Sequence, residues 1–136
     1  MDCIFCAIRD GQIPAVKVFE DDRTLAFMDI SPLNDGHLLV IAKQHHPNLF
    51  EISDEDLAAV SRVAKKMALA IAKALRPDGL NLFQANGPAA GQTIEHFHLH
   101  VIPRWLMDGK GVYWEPPVKG DANRIKDAAE KIKAQM

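Results

Sequence analysis

Little in this chain points to an unusual environment. Cysteine is scarce: two residues in 136, Cys3 and Cys6. Two cysteines cannot build the disulfide framework of a small secreted domain. Neither sign of charge is in excess, with 16 Lys and Arg against 18 Asp and Glu and a formal net charge of -2. That balance gives no electrostatic reason to expect a nucleic-acid partner or an anionic membrane surface. No apolar run reaches the length of a membrane span, and Met1-Asp2-Cys3 lacks the basic and apolar regions of a signal peptide. A cytoplasmic protein with free thiols is therefore expected. Repeats and low-complexity tracts are missing. A length of 136 residues allows one core but not two domains, and 48% hydrophobic and 25% charged residues are ordinary for a globular chain.

Against this plain background stands Glu95-His96-Phe97-His98-Leu99-His100-Val101-Ile102-Pro103-Arg104. Polar and apolar residues alternate from His96 to Ile102, the period of a half-buried strand. Phe97, Leu99 and Val101 then take one face, while His96, His98 and His100 stand on the other, spaced by about 6.6–7 Å. Three of six histidines on one strand face is hard to explain by packing and points to chemistry. The loop Asn86-Gly87-Pro88-Ala89-Ala90-Gly91-Gln92-Thr93 delivers the chain into this strand. Its glycines let backbone N–H groups approach a ligand, and Gln92 and Thr93 add short polar hooks, a combination that suits a phosphate.

The rest of the chain reads as scaffold. Ile4, Phe5, Ile8 and Ile13 give the N-terminal segment an apolar side, which predicts a short helix ahead of Pro14. Strands are expected over Val16–Glu20 and Thr24–Ile30, joined by the turn Asp21-Asp22-Arg23, with a third over His37–Ile41. Ser53 followed by Asp54-Glu55-Asp56 opens a helix. Leu57, Val60, Ala64, Met67, Ile71 and Leu75 recur at spacings of three and four as its buried stripe, and Arg76-Pro77-Asp78-Gly79 stops it. Leu80–Asn86 and His96–Pro103 complete five strands, and Asp121–Lys133 forms a modest terminal helix. The fold class is α+β: an antiparallel five-stranded sheet carrying one long helix and a short C-terminal helix. Residues 1–104 make the core domain, and 105–136 a tail and helix that belong to the same domain or to a dimer interface.

Cys3-x-x-Cys6 lacks the βαβ setting of a redox motif. Two readings stay open: incidental thiols, or half of a zinc site. Cys3 and Cys6, one histidine of the His45-His46 pair and one triad histidine would complete a Cys₂His₂ tetrahedron.

The run Gly91-Gln92-Thr93-x-x-His96-x-His98-x-His100-Val101-Ile102 resembles the signature of the histidine triad (HIT) superfamily. Phe27-Met28-Asp29-Ile30-Ser31-Pro32 and Gly36-His37-Leu38-Leu39-Val40-Ile41 resemble its Hint-like branch, as does the opening Cys3-Ile4-Phe5-Cys6. The resemblance implies a HIT-like fold and an enzyme acting at the α-phosphate of purine nucleotide conjugates, nucleoside phosphoramidates among them, through a nucleotidyl-histidine intermediate. It makes His98 the nucleophile, His100 the holder of a non-bridging oxygen, and His37 the residue that orients His98 or relays its proton. It implies that Gln92 and Thr93 contact the phosphate or leaving group, Asn86 the sugar-phosphate side and Asp29 the ribose hydroxyls. Phe5, Ile8, Phe27 and Ile30 would line the base slot. It further implies a structural zinc on Cys3, Cys6, His45 and His96. A zinc ligand cannot also protonate the leaving group, so that donor stays open among Thr93, His37 and water. A homodimer is implied as well, with the segment Gly111–Pro117 of one copy reaching the site of the other. Two competing classes remain: a zinc-dependent hydrolase with its metal at the triad, and a nucleotide-binding or interaction module with little turnover.

Overall fold

The computed structural model describes residues 3–111 and 119–136. The tail segment expected to reach a partner copy lies, from Val112 onward, outside the described residues. The chain runs α1 (Ile4–Arg9), β1 (Lys17–Glu20), β2 (Thr24–Met28), β3 (Leu38–Ala42), α2 (Asp54–Leu75), β4 (Gly79–Phe83), a 3₁₀ turn (Pro88–Ala90), β5 (His98–Arg104) and α3 (Ala122–Lys133). The five strands form one sheet in the order β1-β2-β3-β5-β4, antiparallel at every pairing.

The long helix forms where its caps and stripe place it. The Ser53 hydroxyl accepts from the Asp56 N–H at 3.2 Å, and three acidic residues occupy the first turn, where the helix dipole favours them. Arg76 ends it in the left-handed region, φ 51°, its N–H closing on the Ala72 carbonyl. Val60, Val63, Ala64, Met67, Ala70 and Ile71 are buried against one face of the sheet, with Ala26, Met28, Leu38, Val40, Phe97 and Val101. Helix α3 adds Ile125, Ala128, Ala129 and Ile132 to that same core. Each Val, Leu, Ile, Phe or Met among them contributes about 1.5–3 kcal/mol on leaving water, and each alanine less.

β2 and β3 are buried at every position, because the other face of the sheet is covered too. There Leu25, Phe27, Leu39 and Ile41 pack under Phe5 and Ile8 of α1. This second layer is small, and the functional side chains gather beside it.

Two boundaries differ from the sequence reading in a way that matters. β5 begins at His98, not His96: the chain bends over residues 94–96, and pairing with β3 starts at Ile41↔His98. His96 therefore leaves the row of three and turns to another set of partners. β4 ends at Phe83, since Gln84 and Asn86 bond to each other and begin the loop. β5 also lies between β3 and β4, so the triad strand is interior to the sheet and β4 forms its edge. Among the described residues no helix is long and apolar enough to cross a membrane.

Candidate functional site

Register on β3 determines which way the two strand histidines point. His98 sits opposite Ile41 and His100 opposite Leu39, both on the α1 face, and their ring centroids are 5.0 Å apart. Phe5 meets the His98 ring edge-on at 5.1 Å, itself braced by Phe27 at 5.3 Å. Of the residues expected to line a base slot, Phe5, Ile8 and Phe27 are buried in this layer and Ile30 is exposed.

The His98 Nδ1 lies 2.7 Å from the His96 carbonyl oxygen. A carbonyl can only accept, so Nδ1 carries the proton and Nε2 keeps its lone pair. Burial pushes the His98 pKa below its ordinary value, partly opposed by the His96 carbonyl and by Asp29. A neutral imidazole with a fixed tautomer and a free Nε2 is what a nucleophile requires.

The second group is formed by His100, His37 and Asp29. His37 is fully buried, and its Nδ1 accepts from the Leu33 N–H at 2.9 Å. Its Nε2 lies 2.9 Å from His100 Nδ1 and 3.4 Å from Asp29 Oδ2. The ring bonded to His37 at that distance is that of His100, where the sequence reading named His98. Burial lowers the His37 pKa to about 4 against the pull of Asp29, and lowers that of His100 further, with His37 and His98 adding to the effect. Gly36, at φ 93°, lets the chain turn tightly into His37: a Cβ there would run into Leu75 and press on Pro103.

The loop before β5 is held by its own side chains. The Gln92 carboxamide is buried, accepting from the Gly87 N–H at 2.7 Å and donating to the carbonyls of Pro47 and Ile94. Asn86 bonds Gln84 and accepts from the Leu49 N–H at 2.7 Å. Both side chains staple the loop into shape, while Thr93 is exposed.

Turned away from the strand, His96 joins Cys3, Cys6 and His45, whose ligating atoms all lie within 4.8 Å of one another. His96 Nδ1 is 3.4 Å from Cys3 Sγ, 3.5 Å from Cys6 Sγ and 3.2 Å from His45 Nδ1. Cys6 Sγ lies 3.5 Å from His45 Nδ1. Tetrahedral zinc, with bonds of about 2.3 Å to sulfur and 2.0–2.1 Å to nitrogen, separates its ligand atoms by about 3.3–3.8 Å, so the donor set fits. The chemistry of His96 agrees. Its Nε2 donates to the Ala42 carbonyl at 2.8 Å, leaving the Nδ1 lone pair facing the other three donors. Burial raises the Cys6 thiol pKa, aided by Cys3. A single metal shared by all three triad histidines is not supported, because His96 and His98 direct their Nδ1 atoms to different partners.

Several contributors carry no sequence signal, being main-chain groups: the carbonyls of His96 and Ala42 and the N–H of Leu33. His46 stands outside the Cys3, Cys6, His45 and His96 cluster and has partners of its own. Its Nε2 lies 2.8 Å from the buried Asp56, which Arg23 also approaches at 3.2 Å, and its carbonyl accepts from the Phe97 N–H at 2.7 Å. That clamp holds the His45-His46 loop against both α2 and the approach to β5.

Comparison with known proteins gives a consistent result. A family model described as HIT domain matches residues 10–106. An adenosine 5′-monophosphoramidase of Schizosaccharomyces pombe is 40% identical over 137 residues, covering 100% of this chain and 99% of that one. An adenylylsulfatase of Arabidopsis thaliana is 45% identical over 107 residues, 79% of this chain and 54% of that one. Among solved structures, a zinc-bound histidine triad family protein from Mycobacterium smegmatis superposes with a TM-score of 0.86 at 34% identity, covering 99% of this chain and 93% of the other.

Proposed function

The chain belongs to the HIT domain family, and on that footing we propose that it hydrolyses or transfers the nucleotidyl group of purine nucleotide conjugates, phosphoramidates among them, with His98 as nucleophile. The observation that carries this reading is the 2.7 Å bond from His98 Nδ1 to the His96 carbonyl, which reserves the Nε2 lone pair for attack. In the proposed reaction Nε2 attacks the α-phosphorus, an N–P bond forms, and the bond to the leaving group breaks as that group takes a proton from Thr93, His37 or water. Water then attacks the same phosphorus and returns the electron pair to His98. His100 holds a non-bridging oxygen, and His37 fixes the tautomer of His100. Thr93 reaches the phosphate or leaving group, and Gln92 and Asn86 shape the loop around it. Asp29 takes the ribose hydroxyls, and Phe5, Ile8, Phe27 and Ile30 border the base. Cys3, Cys6, His45 and His96 would hold a structural zinc, whose contribution is to fix the chain around His96.

Adenosine 5′-phosphoramidate should be converted to AMP and ammonia, and brief exposure to a chelator should leave the rate unchanged. Immediate loss on chelation would favour a catalytic metal instead, and binding without turnover an interaction module. The pH dependence has a definite sign. Burial holds His98 below its ordinary pKa, so the nucleophile stays unprotonated as the pH falls past 6.5. The acid limb of kcat should therefore lie below pH 6.5, and a limb at or above that value would contradict the assignment.

The chain is also proposed to act as a homodimer. Among the described residues β4 pairs with β5 alone, and its Leu82 is 55% exposed. An open strand edge with an apolar residue is normally covered. Light scattering should report twice the chain mass, and Leu82→Lys should shift it to one. Truncation after Trp105 is a poor test of the tail, because it also strips the four buried residues of α3 from the core. Trp114→Ala, changing leaving-group preference with the fold intact, is the better one.

A further inference from the structure

We propose that Asp29 is a positioning residue for His100: its Oδ2 is the acceptor that lets the His37–His100 pair take up a proton while a phosphoryl group is bound. This rests on the phosphate-site reading above and goes beyond the sugar contact given to Asp29 there.

The protons along the pair can be counted. The Leu33 N–H points at His37 Nδ1 from 2.9 Å, so that nitrogen is an acceptor and the ring's proton is on Nε2. His37 Nε2–H donates across 2.9 Å to His100 Nδ1, which leaves the proton of His100 on its own Nε2. The neutral pair thus holds two protons, and each contact is satisfied. A third proton has one place to go, His100 Nδ1, because His37 Nδ1 already faces an N–H. Once there it confronts His37 Nε2–H, two donors with no acceptor between them.

Asp29 resolves the conflict. Its Oδ1 accepts from the Ser31 N–H at 2.8 Å, which turns Oδ2 toward the rings, 3.4 Å from His37 Nε2 and 3.8 Å from His100 Nδ1. Either displaced N–H can pass to this oxygen with a small rotation. An imidazolium in a buried setting is costly without a counter-charge, and a carboxylate at this distance supplies one. Among the described residues the other titratable ring beside the pair is His98, its centroid 5.0 Å from that of His100. It stays neutral to act as the nucleophile. The charged pair would then meet the developing phosphoryl charge with a charge-assisted donor.

Removing the sugar hydroxyls separates this role from ribose binding. Asp29→Asn keeps an oxygen for the Ser31 N–H and replaces Oδ2 by an amide that donates. We expect kcat to fall by about tenfold or more on both adenosine 5′-phosphoramidate and its 2′,3′-dideoxy counterpart, with a rise in KM confined to the first. A loss seen in KM alone, vanishing with the dideoxy substrate, would overturn the proposal and leave Asp29 a ribose contact. A second measurement needs no variant. With AMP bound to the unaltered protein, nitrogen NMR should find His100 protonated at both ring nitrogens below neutral pH, and a ring that stays neutral down to pH 5 would equally overturn it. If the unaltered protein turns over neither substrate, the proposed reaction fails, while the AMP-bound titration still decides the role of Asp29.

Discussion

His98→Ala and His98→Gly should lose turnover by about a thousandfold or more while keeping the fold and most of the affinity for nucleotide. The size of the effect follows from the covalent step: no other imidazole in the site combines an Nδ1 spent on a main-chain carbonyl with an Nε2 left for attack. Structural damage should be slight. The lost bond to the His96 carbonyl is worth about 1 kcal/mol net, and Phe5 remains buried against Phe27. Nucleotide affinity by calorimetry, melting temperature and kcat should therefore separate cleanly. A variant retaining more than about a tenth of the kcat would remove His98 from the nucleophile's role.

The second large effect concerns the four ligands. The protein purified under reducing conditions should carry one zinc per chain by native mass spectrometry, and the double replacement Cys3→Ser, Cys6→Ser should lose it. The melting temperature should fall steeply, since a structural zinc contributes several kcal/mol of folding free energy. The second layer of the core, Phe5 and Ile8 on Phe27, Leu39 and Ile41, is pinned at its N-terminal end by those cysteines, so α1 should detach first. Activity should fall less than stability in the chains that stay folded, because a metal held by those four side chains would not be part of the proposed phosphoryl transfer at His98. Protein found without zinc would return the cysteines to incidental thiols and free His96 for proton transfer.

Much of this fold is legible in the sequence. The stripe from Leu57 to Leu75 and its Ser53 cap placed α2 almost to the residue, because a helix declares itself through local periodicity. The five strands are legible in the same way, and the antiparallel pairing of β1 with β2, β2 with β3 and β4 with β5 in the hairpin connections between them. Ligand arithmetic on residue type points to a Cys₂His₂ set, and the resemblance to the HIT superfamily selects His45 and His96 within it. What stayed hidden depends on main-chain direction. Alternation from His96 to Ile102 looks like one continuous strand, yet the bend before His98 sends His96 to Cys3 and Cys6 while His98 stays over Ile41. Composition likewise marks Gln92 and Asn86 as polar but does not tell whether their amides meet a ligand or their own loop. The tautomers of His37, His96 and His98 rest on Leu33, Ala42 and a carbonyl, where residue identity is irrelevant.

The place of β5 between β3 and β4 also sets an order of events during folding. Its pairing with β3 joins Leu38 to Val101 and Ile41 to His98, contacts far apart in sequence, so a long chain must be looped before they form. The β1–β2–β3 meander, α2 and the β4–β5 hairpin are local by comparison and can assemble first, leaving the β3 edge to be paired late. A nascent or partly folded chain would hold His37 apart from His100 and be catalytically silent. Once seated, β5 is zipped to neighbours on both sides, and its amides should exchange with solvent only as fast as the whole domain opens.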